Sequence, residues 1–337
     1  MTIYVNLGAV TRNWQKLNAM SKGVAGAVVK ANGYGLGAEK VAEALYKAGC
    51  RVFFTATVEG AVHLRPFVAS AHIYALHGAL NEQEIHNCIQ HNIRPVVNHK
   101  SAWDALAASG APLRVAVHFD TGMHRLGVPE DEQEEMFARM RNSGALKVEL
   151  IMSHLASKEL DVPSNQRQKQ KFLKITEHFP HIQTSFGNSA GVFSDESYHG
   201  DITRPGFALY GGNPLPGKKN VLENTLKIKP RLLQVQRVNK GDAVSYNGLW
   251  VAERPSVIAT VEVGYNDINP LNAELYLNGK PIKTVGRNSM DMLTLDITDI
   301  ELAEANFEVI PSFEGLAGYH SLTSIGQRLA KEYVYED

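Results

Sequence analysis

Lys30 is the residue of this 337-residue chain whose surroundings point most directly to chemistry. It ends the apolar run Gly26-Ala-Val-Val-Lys30, and the segment Ala31-Asn-Gly-Tyr-Gly-Leu-Gly37 follows at once. An amine that a strand shields from water has a lowered pKa, so it can form a Schiff base with an aldehyde. The phenol of Tyr34 and the glycines around it suit a phosphate, because glycine lets the backbone approach a ligand closely.

An aldehyde that carries a phosphate describes pyridoxal 5'-phosphate (PLP). By itself the segment also fits a lysine that reaches solvent at the end of an edge strand. Its sequence resembles the PLP-lysine signature of alanine racemases, Val-Val-Lys-Ala-Asn-Ala-Tyr-Gly-His-Gly, with Gly33 in place of the alanine and Leu36 in place of the histidine. The resemblance implies that Lys30 binds PLP and that Tyr34 reaches its phosphate.

Composition and charge indicate an ordinary soluble globular protein. Apolar residues make up 44% and charged residues 20% of the chain, and the formal net charge of −1 gives no reason to expect nucleic acid or an anionic membrane as partner. No apolar run approaches membrane-spanning length, and the first residues lack the pattern of a signal peptide. Cys50 and Cys88 are too few for a disulfide framework and lack metal-site spacing. We therefore expect a cytoplasmic protein without a metal.

Short β-branched runs alternate with longer amphipathic runs over the first two-thirds of the chain, which predicts parallel β/α architecture. The expected strands are Ala25–Lys30, Arg51–Thr57, His72–Leu76, Arg94–Val97, Arg114–Asp120, Lys147–His154, Ile182–Phe186 and a stretch that reaches Tyr210. The expected helices are Ala38–Lys47, Asn81–Gln90, Lys100–Ala108, Asp131–Arg141 and Ser164–His178. About eight such units close a barrel. An open doubly wound sheet is the alternative, although no Gly-x-Gly-x-x-Gly turn follows the first strand.

After the Pro/Gly/Lys segment Asn213–Asn220 the pattern changes to short β-rich runs with little helix. The expected strands there are Leu226–Val238, Ala243–Tyr246, Ser256–Val263, Glu274–Leu277, Lys283–Val285 and Met292–Ile297. The fold class is therefore α/β. We expect an N-terminal (β/α)8 TIM-like barrel over residues 8–222, and a C-terminal mainly-β domain over residues 223–337 that includes the N-terminal strand 2–6.

Two further segments place polar side chains at the ends of barrel strands, where barrel enzymes bind substrate. Asp120–Gly127 resembles the family pattern Asp-Thr-Gly-Met-x-Arg-Leu-Gly, which implies that Arg125 hydrogen-bonds the PLP phenolate and faces the substrate carboxylate. Many family members have a carbamylated lysine two residues before the aspartate as a brace for that arginine, whereas this chain has His118. Ile151–Ala156 resembles Met-x-His-Phe/Leu-Ala, which implies that His154 lies between the cofactor arginine and the catalytic tyrosine.

Two glycine-containing segments, Phe186–Gly191 and Thr203–Gly212, fall where the last two loops of many barrels bind phosphate. Alone, the first also fits a turn with a helix cap. The candidate cofactor ligands are Ser189, Gly206 and Phe207. The resemblance places Arg204 against the pyridine nitrogen of PLP. Because arginine keeps its proton, that nitrogen would stay uncharged and the ring would be a weak electron sink, which favours proton exchange over decarboxylation or transamination.

Three motifs of the β-rich region match the family in order and spacing. They are Ala243–Trp250 with Val-Ser-Tyr-Gly, Val263–Asp267 with Gly-Tyr-Ala-Asp, and Gly286–Asp291 with Gly-Arg-x-x-Met-Asp. Singly, tyrosines in strands are usually packing residues. The resemblance implies a homodimer in which each active site takes its second base, Tyr246, from the neighbouring subunit. The backbone of Met290 would contact the substrate carboxylate, and Tyr265 would narrow the entrance.

The resemblance predicts a PLP-dependent racemase that interconverts L- and D-alanine, with Lys30 and Tyr246 as opposing acid and base, and that supplies D-alanine for peptidoglycan. The alternatives are a racemase of another small amino acid such as serine, a PLP-dependent decarboxylase on the same barrel, and a PLP-binding homologue without turnover. The chain departs from the family pattern in segments 268–271 and 310–323, and Gln327 falls near the place of a phosphate-binding tyrosine.

Overall fold

The chain divides into two units in this computed structural model, which describes residues 1–157, 162–215, 217–267, 273–300, 306–311, 322 and 330–336. The barrel unit comprises residues 10–210 and 214–220, and the β unit comprises residues 1–9, 211–213 and 221–337. The domain boundary that we expect between residues 222 and 223 stays a prediction. Within the described ranges, none of the helices has the length and apolar character that crossing a membrane requires.

The chain begins with strand β1 (Thr2–Asn6) and the helix Leu7–Met20, and short parallel strands then form the wall of the barrel unit. These are β2 (Val24–Ala25), β3 (Ala27–Val28), β4 (Val52–Thr55), β5 (His72–Ala75), β6 (Ile93–Val97), β7 (Leu113–His118), β8 (Leu146–Met152), β9 (Gln183–Ser185) and β10 (Ile202–Thr203). Strands β3 to β9 pair in sequence order, and β10 pairs in parallel with β2. The Arg204 N–H donates to the Gly187 carbonyl at 2.7 Å and links β10 to the segment after β9.

Because only Gly26 separates β2 from β3, the two act as one strand, and the closed wall has the eight strands that the sequence predicts. Further helices of this unit are Ala38–Lys47, Val58–Leu64, Glu82–Gln90, Lys100–Ala108, Gln133–Arg141 and Pro163–Glu177. Short 3-10 helices are Arg65–Phe67, Glu130–Glu132, Gly191–Phe193, Glu196–Tyr198 and Phe207–Tyr210. The predicted α/β barrel is confirmed, and the helices Leu7–Met20 and Val58–Leu64 are additions to the predicted set.

The first barrel strand ends two residues earlier than the sequence predicts. It stops at Val28, and Lys30 begins a short helical turn, Lys30–Tyr34. Four residues of this turn have positive φ, namely Ala31 (51°), Asn32 (52°), Gly33 (62°) and Tyr34 (54°). Left-handed backbone is strained for residues other than glycine, and hydrogen bonds hold it here, among them Gly33 N–H to the Val29 carbonyl at 3.0 Å. Lys30 therefore lies just past the carboxyl end of the strand.

A nine-stranded sheet forms most of the β unit, in the order β12-β15-β18-β17-β16-β19-β11-β1-β20. Its strands and the small β13–β14 pair are β11 (Leu226–Lys229), β12 (Leu232–Val238), β13 (Ala243–Val244), β14 (Trp250–Val251), β15 (Ser256–Val261), β16 (Ala273–Leu277), β17 (Lys280–Thr284), β18 (Leu293–Asp296), β19 (Phe307–Pro311) and β20 (Ala330–Val334). The predicted mainly-β character is confirmed. The expected strand Leu226–Val238 is two strands, because Pro230, which has no N–H to donate, interrupts the run.

Barrel closure predicts opposite effects of two glycine substitutions. A Cβ on Gly23 would lie 2.1 Å from the Asp201 carbonyl oxygen, so Gly23→Ala should disturb the β2–β10 pairing and destabilise the fold by about 1–3 kcal/mol. The control is Gly60→Ala within the helix Val58–Leu64, where the nearest atom is 3.5 Å away and alanine favours the helix by roughly 0.5–1 kcal/mol. Scanning calorimetry should show a lower Tm for the first variant only; equal Tm values would contradict this closure.

Candidate active site

The carboxyl ends of the barrel strands bring together Lys30, Arg125, His154 and Arg204. Lys30 is partly buried, and burial, followed by the positive charge of Arg125, lowers the pKa of its amine. The charge of Arg125 also acts on His154, whose Nδ1 lies 3.4 Å from Nη2 of Arg204. Four side chains that the sequence selects from distant segments thus share one region of the barrel unit.

Arg204 is a buried cation that is held in place by hydrogen bonds. Its Nη1 donates to the Ser185 carbonyl at 2.8 Å and to the Ser185 hydroxyl, and its Nη2 donates to the Ser153 carbonyl. Among the described residues no acidic side chain forms an ion pair with it. Burial lowers its pKa to about 9, which leaves the guanidinium charged at neutral pH. A buried charge without a counter-ion is costly, so we interpret Arg204 as a group kept for a ligand.

His154 faces this guanidinium as a neutral ring. Burial, then the charges of Arg204 and Arg125, hold its pKa well below the ordinary range. Since an arginine only donates, the His154 Nδ1 is the acceptor and Nε2 carries the proton. Gln168 fixes the backbone beside the ring, donating to the His154 carbonyl at 2.9 Å and accepting the Ala156 N–H at 3.0 Å.

Arg125 lies at the surface, in a loop after β7 that several hydrogen bonds hold in one conformation. The Val128 N–H donates to the His118 carbonyl at 2.8 Å, and the Asp120 N–H donates to the Val128 carbonyl at 3.0 Å. Within the loop, Oδ1 of Asp120 accepts three backbone N–H groups at 2.8, 2.9 and 3.2 Å, from Gly122, Met123 and His124. Gly127 has a φ of 110°, and a Cβ there would lie 2.7 Å from the Asp120 nitrogen, so the loop requires glycine.

A set of hydrogen-bonding groups suited to phosphate comes from the segments after β3, β9 and β10. The Ser189 hydroxyl accepts the Gly206 N–H at 3.0 Å and the Ala208 N–H at 3.2 Å, and Phe207 opens the 3-10 helix Phe207–Tyr210. A Cβ on Gly206 would lie 2.3 Å from the Tyr34 hydroxyl oxygen, so the absence of a side chain is what lets that phenol approach. Backbone N–H groups, a hydroxyl and a phenol fit a phosphate, and with the amine of Lys30 the donor set fits PLP.

The β unit groups the remaining candidates around one open pocket of about 630 Å³. Tyr246, Tyr265 and Met290 line it, and each is more than half exposed. Backbone hydrogen bonds join two of their segments, from Tyr265 N–H to the Ser289 carbonyl at 3.1 Å and from Asn266 N–H to the Met290 carbonyl at 2.9 Å. A Cβ on Gly264 would lie 2.4 Å from the Met290 carbonyl, so glycine permits this close approach.

Sequence reasoning misses the residues that hold these groups in place. They are Asn98, Ser153, Gln168 and Ser185. Three of the four stand at or directly after the carboxyl end of a strand, and a polar residue at that position is the signal that could have selected them. The altered segment expected at 268–271, most of the one expected at 310–323 and Gln327 lie outside the described residues, which include only 310, 311 and 322 of the second segment.

Comparison with known proteins places the whole chain in one group. The profile of the alanine racemase N-terminal domain matches residues 5–214, and that of the alanine racemase C-terminal domain matches residues 225–333. A catabolic alanine racemase of Rhizobium johnstonii is 38% identical, with 98% of this chain and 94% of the relative covered. The alignments with two crystal structures cover 99% of this chain and 99% of each of those chains. The alanine racemase of Bartonella henselae with covalently bound pyridoxal phosphate is 30% identical (TM-score 0.85), and the biosynthetic alanine racemase of Pseudomonas aeruginosa is 29% identical (TM-score 0.88).

We expect the Asp120 carboxylate to contribute to the stability of the protein in a pH-dependent way. Burial opposes ionisation, but the three N–H donors and His124 outweigh it and lower the Asp120 pKa. Its contribution should therefore be complete above the ordinary pKa of an aspartate and lost as the pH falls through the lowered native value. Asp120→Asn keeps an acceptor but loses the charge, so at neutral pH we expect a loss of about 1 kcal/mol.

Thermal unfolding of the wild type and Asp120→Asn between about pH 3 and 7 measures this difference. The two curves should converge at the acid end. Asp131→Asn is the control, since that exposed carboxylate makes no hydrogen bond or ion pair within the described ranges. An Asp120→Asn difference that stays constant over the range would contradict the account of the loop.

Proposed function

This chain belongs to the alanine racemase family and is an enzyme that depends on PLP. We propose that it interconverts L- and D-alanine, with Lys30 and Tyr246 as the two groups that remove and return the proton on Cα. The observation that carries the proposal is the convergence of the Lys30 amine with Arg125, His154 and Arg204 at the carboxyl end of the barrel. A phosphate-bearing cofactor is anionic, and so is the carboxylate of an amino acid. A site rich in cations complements both.

Lys30 would hold PLP through its amine, and Tyr34, Ser189, Gly206 and Phe207 would hold the phosphate. When bound, PLP withdraws electrons from the substrate and makes the proton on Cα acidic. The lowered pKa of Lys30 leaves more of its amine uncharged near neutral pH, and an uncharged amine accepts a proton. Lys30 is thereby suited to remove or return the Cα proton on one face of the substrate.

Inversion at Cα also needs a proton carrier on the opposite face, because one base alone mostly returns the proton it took. We assign this role to Tyr246, and in the proposed homodimer the phenol comes from the partner subunit. The exposure of Tyr246, Tyr265 and Met290 around one pocket supports this assignment, since exposed aromatic side chains are typical of interfaces. Arg125 and the Met290 backbone would bind the substrate carboxylate.

Arg204 would donate to the pyridine nitrogen of PLP. Its three hydrogen bonds to Ser185 and Ser153 fix the guanidinium plane, and Nη2 also faces Nδ1 of His154 at 3.4 Å. Nε accordingly remains as the donor for the cofactor, since no described residue accepts from it. A permanent donor at that nitrogen keeps the cofactor a weak electron sink, which suits proton exchange. The likeness to alanine racemases also supports a role in supplying D-alanine for cell-wall peptidoglycan, and we place the enzyme in the cytoplasm.

Chiral chromatography of the purified, PLP-loaded protein tests the proposal directly. L-alanine and D-alanine should each approach an equal mixture of both enantiomers. Serine is the next substrate, because a pocket shaped for alanine rejects one added hydroxyl only weakly. Conversion of serine but not alanine would select the alternative racemase, and no conversion of either would indicate a homologue without turnover.

Mixed dimers test whether the two proton carriers come from different subunits. Lys30→Ala and Tyr246→Phe should each lose activity as homodimers, the latter by roughly 10²–10⁴-fold. In a hybrid dimer one site regains both groups, so random subunit exchange should restore activity at about a quarter of all sites. A mixture that stays as inactive as the two parents, although native mass spectrometry shows hybrid dimers, would contradict the shared site.

A further inference from the structure

Asn98 and His118 form a buried pair at the ends of β6 and β7. The Asn98 Nδ2 donates to the Leu76 carbonyl at 3.0 Å and to the Val96 carbonyl at 3.3 Å, which fixes the orientation of its amide. The atom 2.8 Å from Nδ1 of His118 is therefore the amide oxygen, which only accepts. His118 Nδ1 must carry the proton of this hydrogen bond.

The other ring nitrogen of His118, Nε2, is then an acceptor on a residue that ends β7. No donor among the described residues bonds Nε2, and it is not one of the fully buried atoms without a partner, so this nitrogen is not fully enclosed. Burial, then the charge of Arg204, lowers the pKa of His118 to about 3, with Asp120 opposing and Arg125 contributing. The ring is neutral at physiological pH and presents a lone pair.

Arg125 is the group in this region that needs such an acceptor. Its guanidinium makes no hydrogen bond or ion pair within the described ranges, while its charge acts on Lys30, His118 and His154. Repulsion from Lys30 and Arg204 favours a position in which the Arg125 guanidinium points away from these two groups. A carboxylate partner would hold the guanidinium but cancel its charge, whereas a neutral imidazole nitrogen directs it and leaves the charge for a ligand.

We propose that His118 is a positioning residue whose Nε2 accepts an N–H of Arg125 when that guanidinium binds the substrate carboxylate, and that Asn98 sets the ring tautomer this requires. The inference rests on the proposed function only in assigning the carboxylate to the substrate. The charged and titratable groups that face the ring are Arg125, Arg204, Asp120 and His154.

Nitrogen-15 NMR of the PLP-loaded protein labelled at histidine tests the tautomer without reference to turnover. The His118→Gln spectrum assigns the signal. We expect a proton on Nδ1, none on Nε2, and no titration between about pH 5.5 and 8.5, the range in which ordinary histidines change charge. His99 is the internal control, since its Nδ1 accepts the Ala102 N–H at 3.1 Å and its proton lies on Nε2. A proton on Nε2 of His118, or a charged ring at the acid end, would overturn the proposal.

Propionate, a carboxylate without an amine, tests the effect on Arg125. Calorimetric titration of the loaded enzyme should show binding that is roughly tenfold or more weaker in His118→Leu, because a hydrogen bond to a charged group is lost. His118→Gln, whose side chain still offers an acceptor, should recover most of the affinity. Equal affinity of the wild type and His118→Leu for propionate would contradict the inference.

Asn98→Leu keeps the proposal testable should His118→Leu fail to fold. It should mix the His118 tautomers and weaken propionate binding while leaving the His99 signal unchanged. A variant with an unchanged His118 tautomer and unchanged affinity would also contradict the proposal. A protein that shows the expected tautomer and propionate binding but does not racemise alanine would count against the proposed function alone.

Discussion

The constraint on which the rest of the site depends is the buried positive charge of Arg204, which no acidic side chain of the described residues pairs. Arg204 is buried, and its partners among the described residues are carbonyls, a hydroxyl and a neutral ring. Arg125 and Lys30 add two more cationic groups in the same region. Such an arrangement destabilises the protein by itself, so it indicates an anionic ligand whose binding free energy offsets the repulsion. A phosphate-bearing aldehyde on Lys30 meets this requirement.

The two histidines of the site follow from the same constraint. A protonated imidazole beside Arg204 would add a further buried charge, and burial with the nearby guanidinium groups holds both rings neutral. Their hydrogen-bond partners then assign opposite tautomers. His154 accepts through Nδ1 from Arg204, whereas His118 donates through Nδ1 to Asn98. Neither ring carries charge, but Nε2 of His154 is a hydrogen-bond donor and Nε2 of His118 is an acceptor.

The sequence predicts much of this arrangement, and there is a physical reason why it does not predict the rest. Strand-helix alternation predicts the barrel, and local motifs select Lys30, Arg125 and Arg204, because each stands within a short, recognisable stretch. The strand end at Val28 is not predicted, since an apolar run alone does not show the left-handed turn that follows it. Asn98 is missed because its partner, His118, lies twenty residues away and meets it only after β6 and β7 pair.

Borohydride reduction of the PLP-loaded protein, followed by peptide mass spectrometry, tests the central claim most directly. The account predicts a single pyridoxyl group fixed to the amine of Lys30, and an Arg204→Met variant that loads less cofactor at the same PLP concentration because a cation of the site is gone. A pyridoxyl group on another lysine, or none at Lys30, would contradict it.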